Sequence, residues 1–446
     1  MTSSPNSTSR RLALRADLLD FTGDPGLVHD VAGAEPSALR WRPDHWLLIE
    51  NGRITDAFSA ASHTPGEDWK RIEHPGRLLM PGFIDTHVHS AQLDVIGAAS
   101  TGLLDWLATH TYPAELRMAD PVHALQMSQL FLHSLLAQGS TSACVYPTAH
   151  AASVEALFES AKTKGMRIIA GKLLMDRNAP DELCDGGAQK TAQITVDLIE
   201  RWHGQGRMAY AITPRFAGTS SPEQLRQAGE LLRMAPDLYL QTHVAETQEE
   251  LRWIASLYPE ARSYLDVYAQ AGLLSERSIL GHGIWLDDTD WAVMKDSGAH
   301  IAHCPSSNLF LGSGHFNWQR ARAAGVGVSL ASDVGGGTSL SMRRSMLAAY
   351  QVQAAQQHKL SAWALLHAAT RGAAQALKLD HEIGSLEPGL LADITLWDTA
   401  STPLATRRQA VAATLHDKLF AWITMADEAD LAETWVAGVR QYARSA

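Results

Sequence analysis

From about residue 77 to residue 384 the chain alternates short runs of apolar and β-branched residues with longer stretches in which apolar residues recur every three or four positions. The short runs read as buried strands and the longer ones as helices packed along one face. Eight strand-like runs fall at 83–89 (FIDTHVH), 140–148 (STSACVYPT), 167–175 (RIIAGKLLM), 208–216 (MAYAITPRF), 238–245 (LYLQTHVA), 278–286 (SILGHGIWL), 300–308 (HIAHCPSSN) and 326–333 (VGVSLASD). Helix-like stretches include 152–164, 191–204, 222–234 and 247–256, and the amphipathic stretch 341–357 reads as an outer helix. Eight strands with room for helical crossovers is the arithmetic of an α/β fold of the TIM type, a (β/α)8 barrel. Two intervals, 90–139 and 246–277, exceed what a crossover needs, and such insertions tend to sit over the catalytic face.

The chain ends show a different pattern. WLLIENGRITD (46–56) is two strand-like runs around Asn51-Gly52, a strong hairpin signal. GLLADITLWD (389–398) and TWVAGVRQY (434–442) again suggest short strands and turns. Neither end is large enough to bury a core alone, so both are expected to pair into one small β-sandwich-like domain. The expected division is 1–76 and 385–446 for that domain, with the barrel at 77–384.

Composition narrows the function classes. Hydrophobic residues are 46% and charged residues 19% of the 446, ample for a buried core. No apolar run approaches the roughly 20 residues of a membrane span, and the polar opening MTSSPNSTSRR lacks the apolar centre of a secretory signal. Cys144, Cys184 and Cys304 are odd in number, widely spaced and without a CxxC. Neither a disulfide framework nor a cysteine-based zinc site is expected, and a cytoplasmic location is. A formal charge of −11 without a visible basic patch argues against a nucleic-acid partner.

In such a barrel, function collects at the C-terminal ends of the strands. Read in order, those ends carry His87 and His89, then Arg215, His243, His282 and Asp333. Residues i and i+2 of a strand share a side, so His87 and His89 converge on one point. Taken singly, an HxH pair is often just two polar residues, and Asp333 could cap the next helix. Their common address turns the reading toward a mononuclear metal site. Three histidines and an aspartate suit zinc with a position left open for water, iron fits the same donors, and bound water becomes a nucleophile near neutral pH. Glu246, three residues beyond His243 in HVAE, can reach the same cavity and carry protons without binding the metal. The HExxH and HxE…PCxxC zinc signatures are absent. His303 and Cys304 in HCPSSN read as fixing a strand end. His123, His133, His203, His358 and His367 read as solvated or structural, and the thirteen tryptophans as packing.

With these residues placed, the sequence resembles the amidohydrolase superfamily and, within it, the guanine deaminase family. PGFIDTHVHSAQ, THTYPAE, GKLLMDRNAPD, TPRFAGTSS, QTHVAE, LGHGIWL, HCPSSNLFLGSG and SDVGGGTSLSM match that family's pattern in order across 81–342. The resemblance implies one zinc on His87, His89, His243 and Asp333, with Glu246 as proton shuttle and His282 beside the reacting oxygen. Glu246, His282 and Asp333 would then be catalytic. Gln92, Arg215 and Phe216 would bind the substrate, together with His89, His243, Glu246 and Asp333. This is chemically reasonable: guanine offers an O6/N7 acceptor edge to an arginine, and an aromatic ring can cover its face. The implied reaction is hydrolysis of guanine to xanthine and ammonia, a step of purine catabolism, in a homodimer. Rival readings are another aminated ring on the same scaffold (oxidised guanine, pterin or aminotriazine), a chlorotriazine hydrolase, a silent scaffold that has lost its ligands, and a regulatory ligand-binding module. Ser90 and Ala91 stand where the family more often has a proline before the glutamine, and glycines at 335–337 replace an alanine-glycine pair.

Overall fold

The computed structural model describes residues 11–27, 35–99, 101–184, 186–426 and 428–445. Most of the polar opening, residues 1–10, lies outside the described residues. The strands are β1 (Arg11–Phe21), β2 (Leu39–Glu50), β3 (Arg53–Ser59), β4 (Lys70–Pro81), β5 (Phe83–His89), β6 (Ser140–Tyr146), β7 (Arg167–Ala170) and β8 (Leu173–Leu174). They continue with β9 (Met208–Pro214), β10 (Tyr239–Val244), β11 (Ser278–His282), β12 (His300–His303), β13 (Val328–Leu330), β14 (Ile394–Trp397), β15 (Leu431–Val436) and β16 (Val439–Ala443).

Both chain ends join one seven-stranded sheet in the order β16-β15-β14-β4-β1-β2-β3. The sandwich-like element expected from the sequence is thus a single hydrogen-bonded sheet. Its β1–β4 pair is parallel and the other pairs are antiparallel. The ends meet where β14 lies along β4, with Thr395 opposite Met80. Asn51 and Gly52 turn β2 into β3 at φ of 51° and 84°, the left-handed geometry that a tight hairpin requires. β1 and β4 escape the pattern reading for a local reason. RLALRADLLDF does not alternate cleanly, and KRIEHPGRLLMP carries a Pro and a Gly and is buried only over its last residues.

β4 runs directly into β5 through Gly82, where a Cβ would lie 2.3 Å from the Thr141 hydroxyl. From there the parallel strands are ordered β5-β6-β7-β9-β10-β11-β12-β13, with β8 paired to β9. β13 closes back on β5 through Thr86 Oγ1 to Ser329 Oγ (2.7 Å) and Leu330 O (3.1 Å), and through Asp333 N to His87 O (2.9 Å). The result is the expected eight-stranded barrel with helices around it. Ile84, Cys144, Ile169, Ala209, Ala211, Tyr239, Ile279, Ala302 and Ala331 fill its interior, packed against Ala373, Ala374 and Leu377 of the chain that plugs one end. No helix among the described residues is long and apolar enough to cross a membrane.

Several strands stop earlier than the pattern suggests, and each stop has a cause. The run 300–308 is strand only to His303; Pro305 then opens the helix Pro305–Phe310, since it has no N–H to give a ladder. The run 140–148 ends before Pro147, and 208–216 ends at Pro214. The run 167–175 breaks at Gly171, where a Cβ would lie 1.7 Å from Ala211 O. The run 278–286 stops at His282, whose φ is 70°, and 326–333 is strand only over β13. These early stops turn the chain out of the barrel wall at the rim.

Candidate active site

Strand alternation delivers the first part of the site. Ala209 and Ala211 of β9 and Tyr239 of β10 point into the barrel, so Arg215 and His243, on the same parity, do too. On β5 an irregularity between Asp85 and Val88 breaks the phase set by Ile84, so that Val88 packs outward and His87 and His89, on either side of it, turn inward. His282 and Asp333 come off strand ends at φ of 70° and 49°. A left-handed backbone at a non-glycine residue costs about 1–3 kcal/mol and persists where the surroundings enforce it, most often at functional sites.

These groups meet. Asp333 Oδ1 is 3.2 Å from His87 Nε2 and 3.1 Å from His89 Nε2, while His243 Nε2 is 3.3 Å from His89 Nε2. His282 Nε2 stands 3.8 Å from Asp333 Oδ2 and 3.4 Å from Glu246 Oε2. One ligand atom from each of His87, His243, His282 and Asp333 lies within 4.8 Å of the others. That tight set takes His282 in place of His89, which nonetheless touches both Asp333 and His243. All the residues are buried except His243, which is partly so.

The surroundings fix their orientation. His243 Nδ1 lies 2.7 Å from Arg215 O, and Tyr268 donates to His243 O at 2.8 Å. His282 Nδ1 donates to Asn308 Oδ1 at 2.8 Å, and Ser313 donates to Glu246 Oε1 at 3.0 Å. The Tyr146 ring lies under His87, His89 and His243, with centroids 4.4–4.9 Å away. Asn308 and Ser313 sit in HCPSSNLFLGSG, a motif whose role in holding the site is visible only once the chain is folded.

Burial sets the protonation states. It pushes His87 down to about 4 and His243 well below the usual imidazole value, so both are neutral and their lone pairs are free to bind. Burial opposes the charge on Asp333, but His87, His89 and His282 outweigh it and hold the carboxyl well below its ordinary range. Burial raises Glu246 to about 7, near where a carboxyl can both give and take a proton. For His282 the burial penalty is overcome by Glu246 and Asp333, and its affinity for protons rises.

The donor set fits a divalent cation. His87 Nε2 is buried without a hydrogen-bond partner among the described residues, which is costly unless something else satisfies it. Neutral imidazole nitrogens and an ionised carboxylate are the donors zinc takes. A cavity opens over them, lined by Gln92, Trp106, Arg215, Phe216, Glu246 and Leu311 among others. Every candidate from the sequence other than His87 lines this cavity; His87 lies beneath it. His303 and Cys304 do not line it: His303 packs on Phe316 at 4.7 Å, and burial pushes the Cys304 thiol well above its usual value.

Glu115 is the main residue that sequence reasoning did not single out. It lies in the long insertion, in THTYPAE, with no solvent exposure. It accepts from Gln92 Nε2 at 2.9 Å and, through both oxygens, from Arg215 Nη1 at 2.7 Å.

Residues 78–440 match the amidohydrolase family. The guanine deaminase of Escherichia coli strain K12 is 40% identical over 435 residues, covering 97% of this chain and 98% of that one. An E. coli guanine deaminase structure superposes with a TM-score of 0.92 at 39% identity, covering 98% of this chain and 99% of that one. A crystal structure of guanine deaminase from Bradyrhizobium japonicum gives the same TM-score at 33% identity, over 98% of this chain and 100% of that one. The barrel, the His/Asp cluster at its rim and these likenesses converge: the chain belongs to the amidohydrolase family and, within it, to the guanine deaminases.

Proposed function

We propose that the protein hydrolyses guanine to xanthine and ammonia, with one divalent cation held by His87, His89, His243 and Asp333. Zinc is the expected ion, and iron(II) suits the same donors. The observation that carries this reading is the cluster of imidazoles and one ionised carboxylate under a cavity whose wall carries Arg215, Gln92 and Phe216. When bound, the cation would acidify a water so that it can act as a nucleophile near neutral pH.

The chain's own groups supply the rest. Arg215 donates to the O6/N7 edge of the ring, Gln92 bonds in the ring plane, and Phe216 covers a face. Asp333 takes the proton of the attacking water. Glu246, held by Ser313, gives a proton to the ring nitrogen beside C2, which makes C2 electrophilic; the carboxylate so formed then takes the proton of the oxygen added at C2 and passes it to the departing amino group. His282, oriented by Asn308, donates from Nε2 to the oxygen added at C2. The catalytic unit is 77–384, a dimer in the cytoplasm belongs to the same reading, and the product places the enzyme in purine catabolism.

The test is an ultraviolet assay on guanine, oxidised guanine, adenine, cytosine, a pterin and aminotriazines, with ammonia measured in parallel. Guanine is expected to release ammonia fastest. A panel in which guanine is inert and another ring reacts would overturn the substrate but leave the site.

A further inference from the structure

The insertion that carries Glu115 is one continuous helical stretch with an irregularity in it. Leu103–Trp106 is α-helix, Leu107–Thr111 winds as a π-helix, and Tyr112–Leu116 returns to α. The wider turn shifts the register of the last α-helical turn relative to the first. Leu103 and Trp106 line the cavity on the N-terminal side of that turn. On its C-terminal side Tyr112 and Glu115, three apart and so on one face, both reach Arg215: the Tyr112 ring lies 5.6 Å from the guanidinium carbon.

The hydrogen bonds of Glu115 decide how its two partners face the ligand. A carboxylate only accepts, so Gln92 must turn its NH2 toward Glu115; the opposite orientation would set oxygen against oxygen. Gln92 Oε1 is then left buried and without a partner among the described residues, on a side chain that lines the cavity. Glycine at 335 makes room for it, because a Cβ there would lie 2.6 Å from that oxygen. On Arg215, Glu115 engages Nη1 alone, and the side chain lines the cavity. The wall therefore presents one fixed acceptor and one fixed donor.

We infer that Glu115 is a positioning residue that sets specificity: it locks Gln92 as an acceptor for a ring N–H and Arg215 as a donor to a ring carbonyl. This rests on the guanine reading and deepens it. A lactam edge, with N–H beside C=O, satisfies both groups at once. An aminated edge of the adenine kind, with donor and acceptor exchanged, would leave both buried groups unpaired, which is how polar sites reject wrong ligands.

The experiment compares binding of hypoxanthine, which carries the lactam edge, with binding of purine, which lacks it, by calorimetry on metal-loaded protein. Neither probe has the 2-amino group, so neither is deaminated. Wild type should prefer hypoxanthine, and Glu115→Gln, whose amide lets Gln92 flip and leaves Arg215 unanchored, should shrink that preference about tenfold or more. KM for guanine should rise more than kcat falls. A purely structural role would weaken both probes alike and leave their ratio unchanged. Glu115→Asp keeps the charge beside Arg215 should the amide variant fail to fold, and it too should narrow the preference. Wild type that deaminates guanine and prefers hypoxanthine, with variants that keep the preference, overturns the role of Glu115 alone. Wild type with no preference and no guanine turnover overturns the guanine reading, and this inference with it.

Discussion

Glu246 is buried at the mouth of the cluster, 3.4 Å from His282 and held by Ser313. Replacing its carboxyl by an amide removes the proton-carrying group and changes little else. Glu246→Gln should therefore lose about 10²–10⁴ in turnover while elemental analysis finds the same metal content as wild type. Near-normal turnover with metal bound would refute the assigned role. Asn308 acts one step further out: its Oδ1 holds His282 Nδ1. Asn308→Ala frees the ring, and kcat should fall about tenfold or more with the far-ultraviolet circular dichroism unchanged. An unaltered kcat would show that His282 is oriented by its packing alone.

At the scale of elements, the end of the barrel away from the site is tied to the small sheet by partly buried ions. Arg207, just before β9, bonds Glu382 at 3.1 Å and Asp393 at 2.7 Å, and Arg167 at the start of β7 also pairs with Glu382. Asp393 immediately precedes β14, so the network links the two sheets. Burial raises the Glu382 carboxyl, but the two arginines outweigh it and hold it below the ordinary range. A carboxyl depressed in the folded state stabilises above its unfolded value, about 4.3, and that contribution is lost as pH falls through the folded value. Glu382→Gln should cost about 1–3 kcal/mol at pH 7, and the gap from wild type should close on acidification below about 4, as read by denaturant unfolding at several pH values. A gap independent of pH would mean that the cost is packing and not charge. In the same sheet, Gly52 sits at φ 84° with a would-be Cβ 2.6 Å from Ala437 O. Gly52→Ala should lower stability by about 1 kcal/mol or more, visible as a lower melting temperature with the kinetics on guanine unchanged.

For the whole molecule, the test is removal of the ion. A strong chelator should abolish turnover, and zinc should restore it at one equivalent per chain; activity that survives exhaustive chelation would remove the proposed chemistry. The barrel, its order and its outer helices were legible because each rests on a local period: two for the strands, about three and a half for the helices. Boundaries were less legible where a proline or a positive φ ended a strand within an apolar run, as at Pro305 and His282. β1 and β4 were hidden because their burial comes from pairing with each other and, for β4, with β14, more than 300 residues further along the chain.

By itself the sequence determined which residues stand at the strand ends, since alternation along a strand is a property of the strand alone. That put His87, His89, Arg215, His243, His282 and Asp333 at one rim before any contact was known. Only the tertiary structure decided what those residues touch. Closure of β13 on β5 brings Asp333 to His87, and the folded insertion brings Glu115 to Gln92 and Arg215, over chain separations of 246, 23 and 100 residues. No local period encodes such meetings, because they depend on how many strands close the barrel and where an insertion folds back over its mouth.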